Sequence, residues 1–223
     1  MKTLYGKRLG KEWIDWVETS NGTREKDIFP FLKAWLRTTR PKVVADIGCG
    51  QGICSTLIPA NAQYIGVDPS SILLRRAREL YRDSNKRFVN ADAYNTHLED
   101  SSVDAVISIW VWSHIRDLKA AAKEMHRILK PGGKYFMITA NPETYDERKT
   151  FYTKYKITGN LLRGTFNLEN GKYLTNTTLY LHKTEEITGS IKNSGLTIDS
   201  TKNMETAATS DKGLYLIVEG SKP

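Results

Sequence analysis

The chain has no run of about 18 apolar residues, the length a membrane-crossing helix needs, so membrane insertion is not expected. Its opening stretch, MKTLYGKRLGKEW, lacks the apolar centre of a secretion signal, and a cytoplasmic protein is expected. Cysteine is scarce: Cys49 and Cys54 are the only two, at a spacing that fits neither a zinc nor a redox motif. They read as small buried thiols, and no metal site is expected. Without secretion, the sequons Asn21-Gly22-Thr23 and Asn176-Thr177-Thr178 read as chance matches. Internal repeats and low-complexity tracts are absent, which excludes repeat architectures. Acidic residues are the minority, 25 against 33 Lys and Arg, giving a net charge of +8 that would suit an anionic partner such as RNA. The basic residues are scattered, however. The densest group, Arg75, Arg76, Arg78, Arg82, Lys86 and Arg87, falls mostly on one expected helix, where a solvated face accounts for it.

What is present is enough apolar residue for a real core, 39% of 223 residues, and the default is one domain spanning 1–223. Through the first two-thirds of the chain, helical and strand patterns alternate, as in a parallel sheet wound with crossover helices: a Rossmann-like α/β fold. Residues 1–40 form an N-terminal helical segment in which Ile28, Leu32, Trp35 and Leu36 sit at helical spacing ahead of Pro41. Strands are expected at 42–47, 64–67, 87–90, 103–109 and 134–139. One helix should begin near Gly50; another, capped by Ser70 or Ser71, carries Leu73, Leu74, Ala77 and Leu80 inward; a third runs from its Asp117 cap to the stop at Pro131-Gly132-Gly133. The character then changes. Residues 150–182 are rich in Tyr, Thr, Asn and Gly, and Glu169-Asn170-Gly171 between strand-like runs at 165–168 and 173–181 suggests a β-hairpin, an inserted substrate cap. A helix at 184–193 and strands at 197–200 and 214–219 follow.

The most informative segment is VVADIGCGQG, residues 43–52, an apolar strand that ends in an acid and opens into a glycine-rich turn. Gly48, Gly50 and Gly52 are spaced GxGxG; a dinucleotide fingerprint would need glycine where Ile53 stands, and no GK[ST] follows for a phosphate loop. Asp46 ahead of the turn would repel phosphate and attract a cation such as an amino group or a sulfonium. In an open parallel sheet, ligands bind beyond the carboxyl ends of the strands, and further acids fall there. Asp68, 20 positions after Gly48, can accept from both hydroxyls of a ribose. Asp92 can accept from an exocyclic adenine amine, with the Ala93 amide beside it; read alone, Asp92 is a turn residue. Ile109, Trp110 and Val111 end the fourth strand and can offer apolar surface to the adenine ring. Together these positions describe a pocket for a cationic adenosine-bearing molecule without phosphates.

VVADIGCGQG, GVDPS, NADAYN, VDAVISIWVWSHIRD and LKPGGKYFMIT resemble, in order and spacing, the successive motifs of class I S-adenosylmethionine-dependent methyltransferases. The resemblance is close over 43–139 and weak over the final strands. It implies a seven-stranded, mostly parallel sheet of order 3-2-1-4-5-7-6 with helices on both faces and an antiparallel last strand. It also implies S-adenosyl-L-methionine as cofactor and S-adenosyl-L-homocysteine as product. Asp46, Gly48, Cys49, Gly50 and Gly52 would surround the methionine part, Asp68 with Pro69 the ribose, and Asp92 with Ala93 the adenine. The LKPGG turn is similar to the branch whose substrates are often small molecules, including quinones, sterols and natural products.

Methyl transfer from a sulfonium is an in-line displacement, so alignment and exclusion of water can supply much of the acceleration. For a hydroxyl acceptor a base helps, and His114 at the end of the fourth strand is the candidate, with a packing role as its alternative. Trp112, Tyr152, Tyr155, Tyr180 and His182 are candidates to line the acceptor site, and interior packing is their alternative. Trp13 and Trp16 can close over the cofactor as a lid, with core anchoring of the N-terminal helix as their simpler alternative, and Arg24 can pair with its carboxylate. The segment SIWVWSH lacks the NPPY or DPPY of amino-methylating adenine and glutamine enzymes. No Pro-Cys pair suggests a cytosine nucleophile, and no Asp/Asn cluster suggests a magnesium site. The expected function is therefore methyl transfer to an O, N or C atom of a small, partly aromatic or apolar acceptor beneath the cap. An RNA methyltransferase and a non-catalytic cofactor-binding protein are the alternatives. Nothing in the sequence selects an oligomeric state.

Overall fold

The computed structural model describes residues 7–19, 24–168, 171–204 and 213–223. Glu169, Asn170 and the first sequon lie outside them. Helix α2 (Phe29–Thr39) buries Phe29, Leu32 and Leu36, and ends where Arg40 turns left-handed and Pro41 forbids another turn. Strand β1 (Val43–Ile47) follows, then β2 (Gln63–Asp68), α3 (Ser71–Leu80), β3 (Lys86–Asn90) and β4 (Val103–Ile109). Helix α4 (Leu118–Ile128) leads into β5 (Leu129–Ala140). The capping serine and aspartate do what their chemistry suggests: Ser70 Oγ accepts the Leu73 N–H and Asp117 Oδ1 that of Ala120. After the cap come α6 (Thr184–Asn193), β9 (Thr197–Met204) and β10 (Tyr215–Ser221).

The sheet order is β3-β2-β1-β4-β5-β10-β9, the expected 3-2-1-4-5-7-6, with β10 antiparallel to both of its neighbours. Strand alternation divides the core between the two faces. Ala45 and Ile47 join Met125, Met137 and Ile191 on the α4 and α6 side, while Val44 joins Leu32, Tyr64 and Leu74 on the α2 and α3 side. Asp46, in phase with Val44, faces this second side, where it meets Tyr64.

Two expectations are corrected. No α-helix begins near Gly50; a short 3-10 turn, Ile53–Leu57, stands there, because Gly52 is left-handed and Ile58, preceding Pro59, is extended. The cap is a three-stranded antiparallel sheet rather than a hairpin: β6 (Tyr152–Thr158), β7 (Leu161–Asn167) and β8 (Tyr173–Tyr180). β6 escapes a period-two reading because a bulge between Thr153 and Lys156, with Lys154 at φ 49°, breaks its alternation. The second sequon lies in β8 with its Thr178 buried.

Helix α1 (Lys7–Thr19) carries Leu9, Trp13, Trp16 and Val17 on one face. Leu9, Trp13 and Trp16 pack with Phe166, Leu168 and Leu174 of the cap region. Glu12 accepts from both the amide and the hydroxyl of Thr175, and Glu18 pairs with Arg76 of α3. The helix therefore bridges the cap and the main sheet. Among the described residues no helix is long and apolar enough to cross a membrane.

Candidate cofactor and acceptor site

Gly48, Gly50 and Gly52 all have positive φ, but different neighbours hold them to it. A Cβ on Gly48 would lie 2.3 Å from Val111 Cγ2 and one on Gly52 2.7 Å from Phe88, so these glycines are demanded by packing. A Cβ on Gly50 would find nothing nearer than Trp13 Nε1 at 3.6 Å. The turn is thus packed on two of its glycines, and on the third it faces the indole of α1.

Asp68 closes the other side. Its Oδ2 accepts the Gly50 N–H at 2.9 Å and its Oδ1 that of Ser70 at 2.8 Å. Each oxygen keeps a second lone pair for a ligand hydroxyl. Burial lifts this carboxyl to about 6 against the pull of the two N–H groups. Asp46 accepts the Tyr64 hydroxyl at 2.6 Å, and burial lifts it to about 7, opposed by that hydrogen bond and assisted by the Asp68 charge. Two buried acids that resist ionisation together make a place where a cation is stabilised. Cys49 and Cys54 are buried thiols pushed up chiefly by burial. Gln51 is also buried, with Oε1 unpaired, a feature that its sequence position did not signal.

Pro69 is half-buried between Asp68 and the Ser70 cap. Asp92 Oδ1 accepts the N–H groups of Tyr94 and Asn95, the turn role, while Ala93 and Val111 pack on the α4 side of the sheet. Ile109 and Trp110 pack on the opposite side, so they are not beside Ala93. Trp110 adopts φ 60°, an uncommon conformation for a bulky residue. Its ring lies 5.6 Å from that of Tyr215 and 6.2 Å from that of Trp16, which in turn contacts Trp13 at 5.0 Å. A train of aromatic rings thus leads from the Gly50 turn to β10.

At the carboxyl ends of β4 and β5 the cap is tied down by histidines. His114 Nδ1 is 2.6 Å from the Thr178 carbonyl, which requires the proton on Nδ1 and leaves Nε2 as the basic nitrogen of the neutral ring. Burial holds its pKa below the ordinary imidazole value; the Thr178 carbonyl opposes this and the charge of Arg148 adds to it. His182 Nε2 reaches the Ile115 carbonyl at 2.7 Å and its ring stacks on Tyr180, so both sit at the seam between cap and loop. Tyr152 is buried beside Leu162 and Leu179, and burial lifts its hydroxyl above the ordinary phenol value, opposed by its hydrogen bond with Thr177 and by the Arg148 charge. Trp112 is 3% exposed within the main core, and Tyr155 is 44% exposed on the outside of the cap; neither belongs to this group. Arg24 is buried against Glu25, which takes its guanidinium. Arg148, on the five-residue helix α5 (Tyr145–Lys149), was not foreseen: DERK reads as a surface run, yet its arginine is buried. Among the described residues no group of three or more His, Cys, Asp or Glu is placed to hold a metal.

Residues 45–137 match the methyltransferase-domain family. A demethylmenaquinone methyltransferase of Staphylococcus haemolyticus is 30% identical over 115 residues, covering 49% of this chain and 48% of that protein. The chain spans about half the length of the curated relatives it matches. Among solved structures, a Pyrococcus horikoshii protein aligns with TM-score 0.74 at 21% identity over 92% of this chain and 93% of that one. An S-adenosylmethionine-dependent methyltransferase of Clostridium acetobutylicum aligns with TM-score 0.74 at 14% identity, over 95% and 97%.

Proposed function

From a chain whose residues 45–137 are a methyltransferase domain, carried on the class I S-adenosylmethionine-dependent methyltransferase fold with S-adenosylmethionine as cofactor, we propose methyl transfer to a small, partly aromatic or apolar acceptor held beneath the cap. The observation that carries this reading is the way the three-stranded cap is tied down: His114, just after β4, meets the Thr178 carbonyl of β8, and Glu12 of α1 holds Thr175 of the same strand. The relative named for a quinone-type substrate supports a small acceptor.

The residues fit the cofactor. Gly50 presents bare backbone toward Trp13 without a clash, Asp68 keeps lone pairs for ribose hydroxyls, and Asp46 favours a cation nearby. Gln51 Oε1 offers an unused acceptor. Ala93 and Val111 are the residues for the adenine side; Trp110 belongs to the acceptor side. Bound there, the cofactor supplies an electrophilic methyl group on a sulfonium. His114, its Nδ1 proton fixed on Thr178, takes the proton of a hydroxyl acceptor at Nε2. Trp13 and the cap exclude water and hold the acceptor in line. In this reading 1–223 is one domain, 150–182 its substrate cap and α1 its lid.

The basic residues support a small acceptor over RNA. Arg76 pairs with Glu18 and Glu79, Arg78 donates to the Phe88 carbonyl, and Lys86 pairs with Asp83, all around α3 and β3. Tritiated methyl transfer to a metabolite extract and to total RNA tests the reading: label in small molecules is expected, and label in RNA alone overturns it. His114→Gln should slow transfer by roughly 10²-fold or more with S-adenosylhomocysteine affinity unchanged. An unchanged rate removes His114 from that role.

A further inference from the structure

Arg148 is 9% exposed. One Nη2 N–H goes to the Leu214 carbonyl and the guanidinium lies 4.9 Å over the Tyr215 ring. Its Nε is buried with no hydrogen-bond partner, and among the described residues no carboxylate pairs with it. A buried cation without a counter-charge is costly, and breaking a buried pair usually destabilises a protein for that reason. The fold supplies a partner where a guanidinium serves packing alone: Arg24, equally buried, has Glu25.

Arg148 is not isolated in its deficit. Trp110, packed on the same Tyr215 ring, has a buried Nε1–H without a partner, on a backbone held at positive φ. Both are pure donors. A group that satisfies Arg148 must bring acceptor oxygens, and one guanidinium balances one negative charge. A carboxylate meets both conditions with the planar pair of oxygens that arginine binds best. A phosphate dianion would leave a buried charge uncompensated. The site is also separate from the Gly50 turn, since Arg148 lies at β10 while Trp13 covers the turn.

Resting on the reading of the chain as a methyltransferase with its acceptor under the cap, we infer that the acceptor is a carboxylate-bearing small molecule. Arg148 takes its carboxylate and the Trp110 N–H assists. Arg148 is then the residue that selects acceptors by charge, and acts on acceptor binding rather than on the cofactor.

Calorimetry on the full chain saturated with S-adenosylhomocysteine, titrated with benzoate and with its neutral isostere benzamide, tests this. Benzoate should bind at least about tenfold more tightly than benzamide, and inorganic phosphate should not compete. Arg148→Gln should remove that preference and leave S-adenosylhomocysteine affinity unchanged. Arg148→Lys should keep part of it, and Trp110→Phe should weaken benzoate by a smaller factor. Benzoate binding no better than benzamide overturns the inference, as does a preference that survives in Arg148→Gln. A loss of cofactor affinity in that variant would assign Arg148 to the cofactor instead and overturn it too. If Arg148→Gln does not fold, the benzoate to benzamide ratio in the unaltered chain and in Trp110→Phe decides. Should S-adenosylhomocysteine itself fail to bind, the methyltransferase reading falls, and the same two titrations on the chain alone still decide whether Arg148 holds a carboxylate.

Discussion

Alanine at Gly48 and at Gly50 should do different kinds of damage. Both positions have left-handed φ, 77° and 56°, which costs an L-residue about 1–2 kcal/mol. At Gly48 the new methyl would also lie 2.3 Å from Val111 Cγ2 and 2.9 Å from Cγ1, and overpacking of that kind adds about 1–3 kcal/mol. Gly48→Ala should therefore lose about 2–5 kcal/mol, a large share of the roughly 5–15 kcal/mol typical of a domain. At Gly50 the nearest atom is 3.6 Å away, so stability should fall by only about 1–2 kcal/mol. Its methyl would instead cover the turn's backbone on the Trp13 side, so the loss should show in cofactor affinity. Val111→Ala removes both clashing methyls, and the double variant Gly48→Ala/Val111→Ala should be more stable than additivity allows by about 1–3 kcal/mol. Urea unfolding of the single and double variants gives the stabilities, and S-adenosylhomocysteine calorimetry gives the affinities. Equal destabilisation at the two glycines, with no coupling to Val111, would show that Val111 is not what confines position 48 to glycine.

Asp68→Ala removes a charged acceptor from the ribose position and should weaken S-adenosylhomocysteine by about 1.5–3 kcal/mol, roughly 10- to 150-fold; an unchanged dissociation constant in calorimetry would release Asp68 from that role. Asp46 and Asp68 are both raised on folding, from 3.8 to about 7 and about 6, so the stability they contribute is full below about pH 4 and is lost as pH rises through about 6 to 7. A bound cation favours their ionised forms, so the thermal shift produced by S-adenosylmethionine should grow over the same interval and flatten in Asp46→Asn; a shift independent of pH in the unaltered chain would contradict the assignment. Trp13→Ala uncovers the Gly50 side and should speed cofactor release in stopped-flow displacement, with equal rates counting against α1 as a lid.

The strands and caps that were legible in the sequence are those whose signals are local. Residues 43–52 announce a strand and its turn by β-branched residues followed by three glycines, and Ser70 and Asp117 cap the helices they precede. The sheet order came from the resemblance of five spaced motifs, since strand order is a long-range property that periodicity does not encode. What escaped depends on tertiary contact. β6 is hidden by lysines and a bulge, and the short turn after Gly52 is decided by Pro59. Trp110 packs away from Ala93 because its backbone turns to φ 60° onto Tyr215 and Trp16. Arg148 sits in a charged run indistinguishable from a surface helix until α5 folds beneath the cap. Trp112 and Tyr155 show the converse: aromatic residues in a suggestive segment that packing sends to the core and to the outer surface.

If the turn at 46–52, with Asp68, takes an adenosine carrying a cation and no phosphates, calorimetry of the full chain should show binding of S-adenosylmethionine and S-adenosylhomocysteine and none of NAD. Tight NAD binding with no binding of the other two would assign the turn to a different ligand.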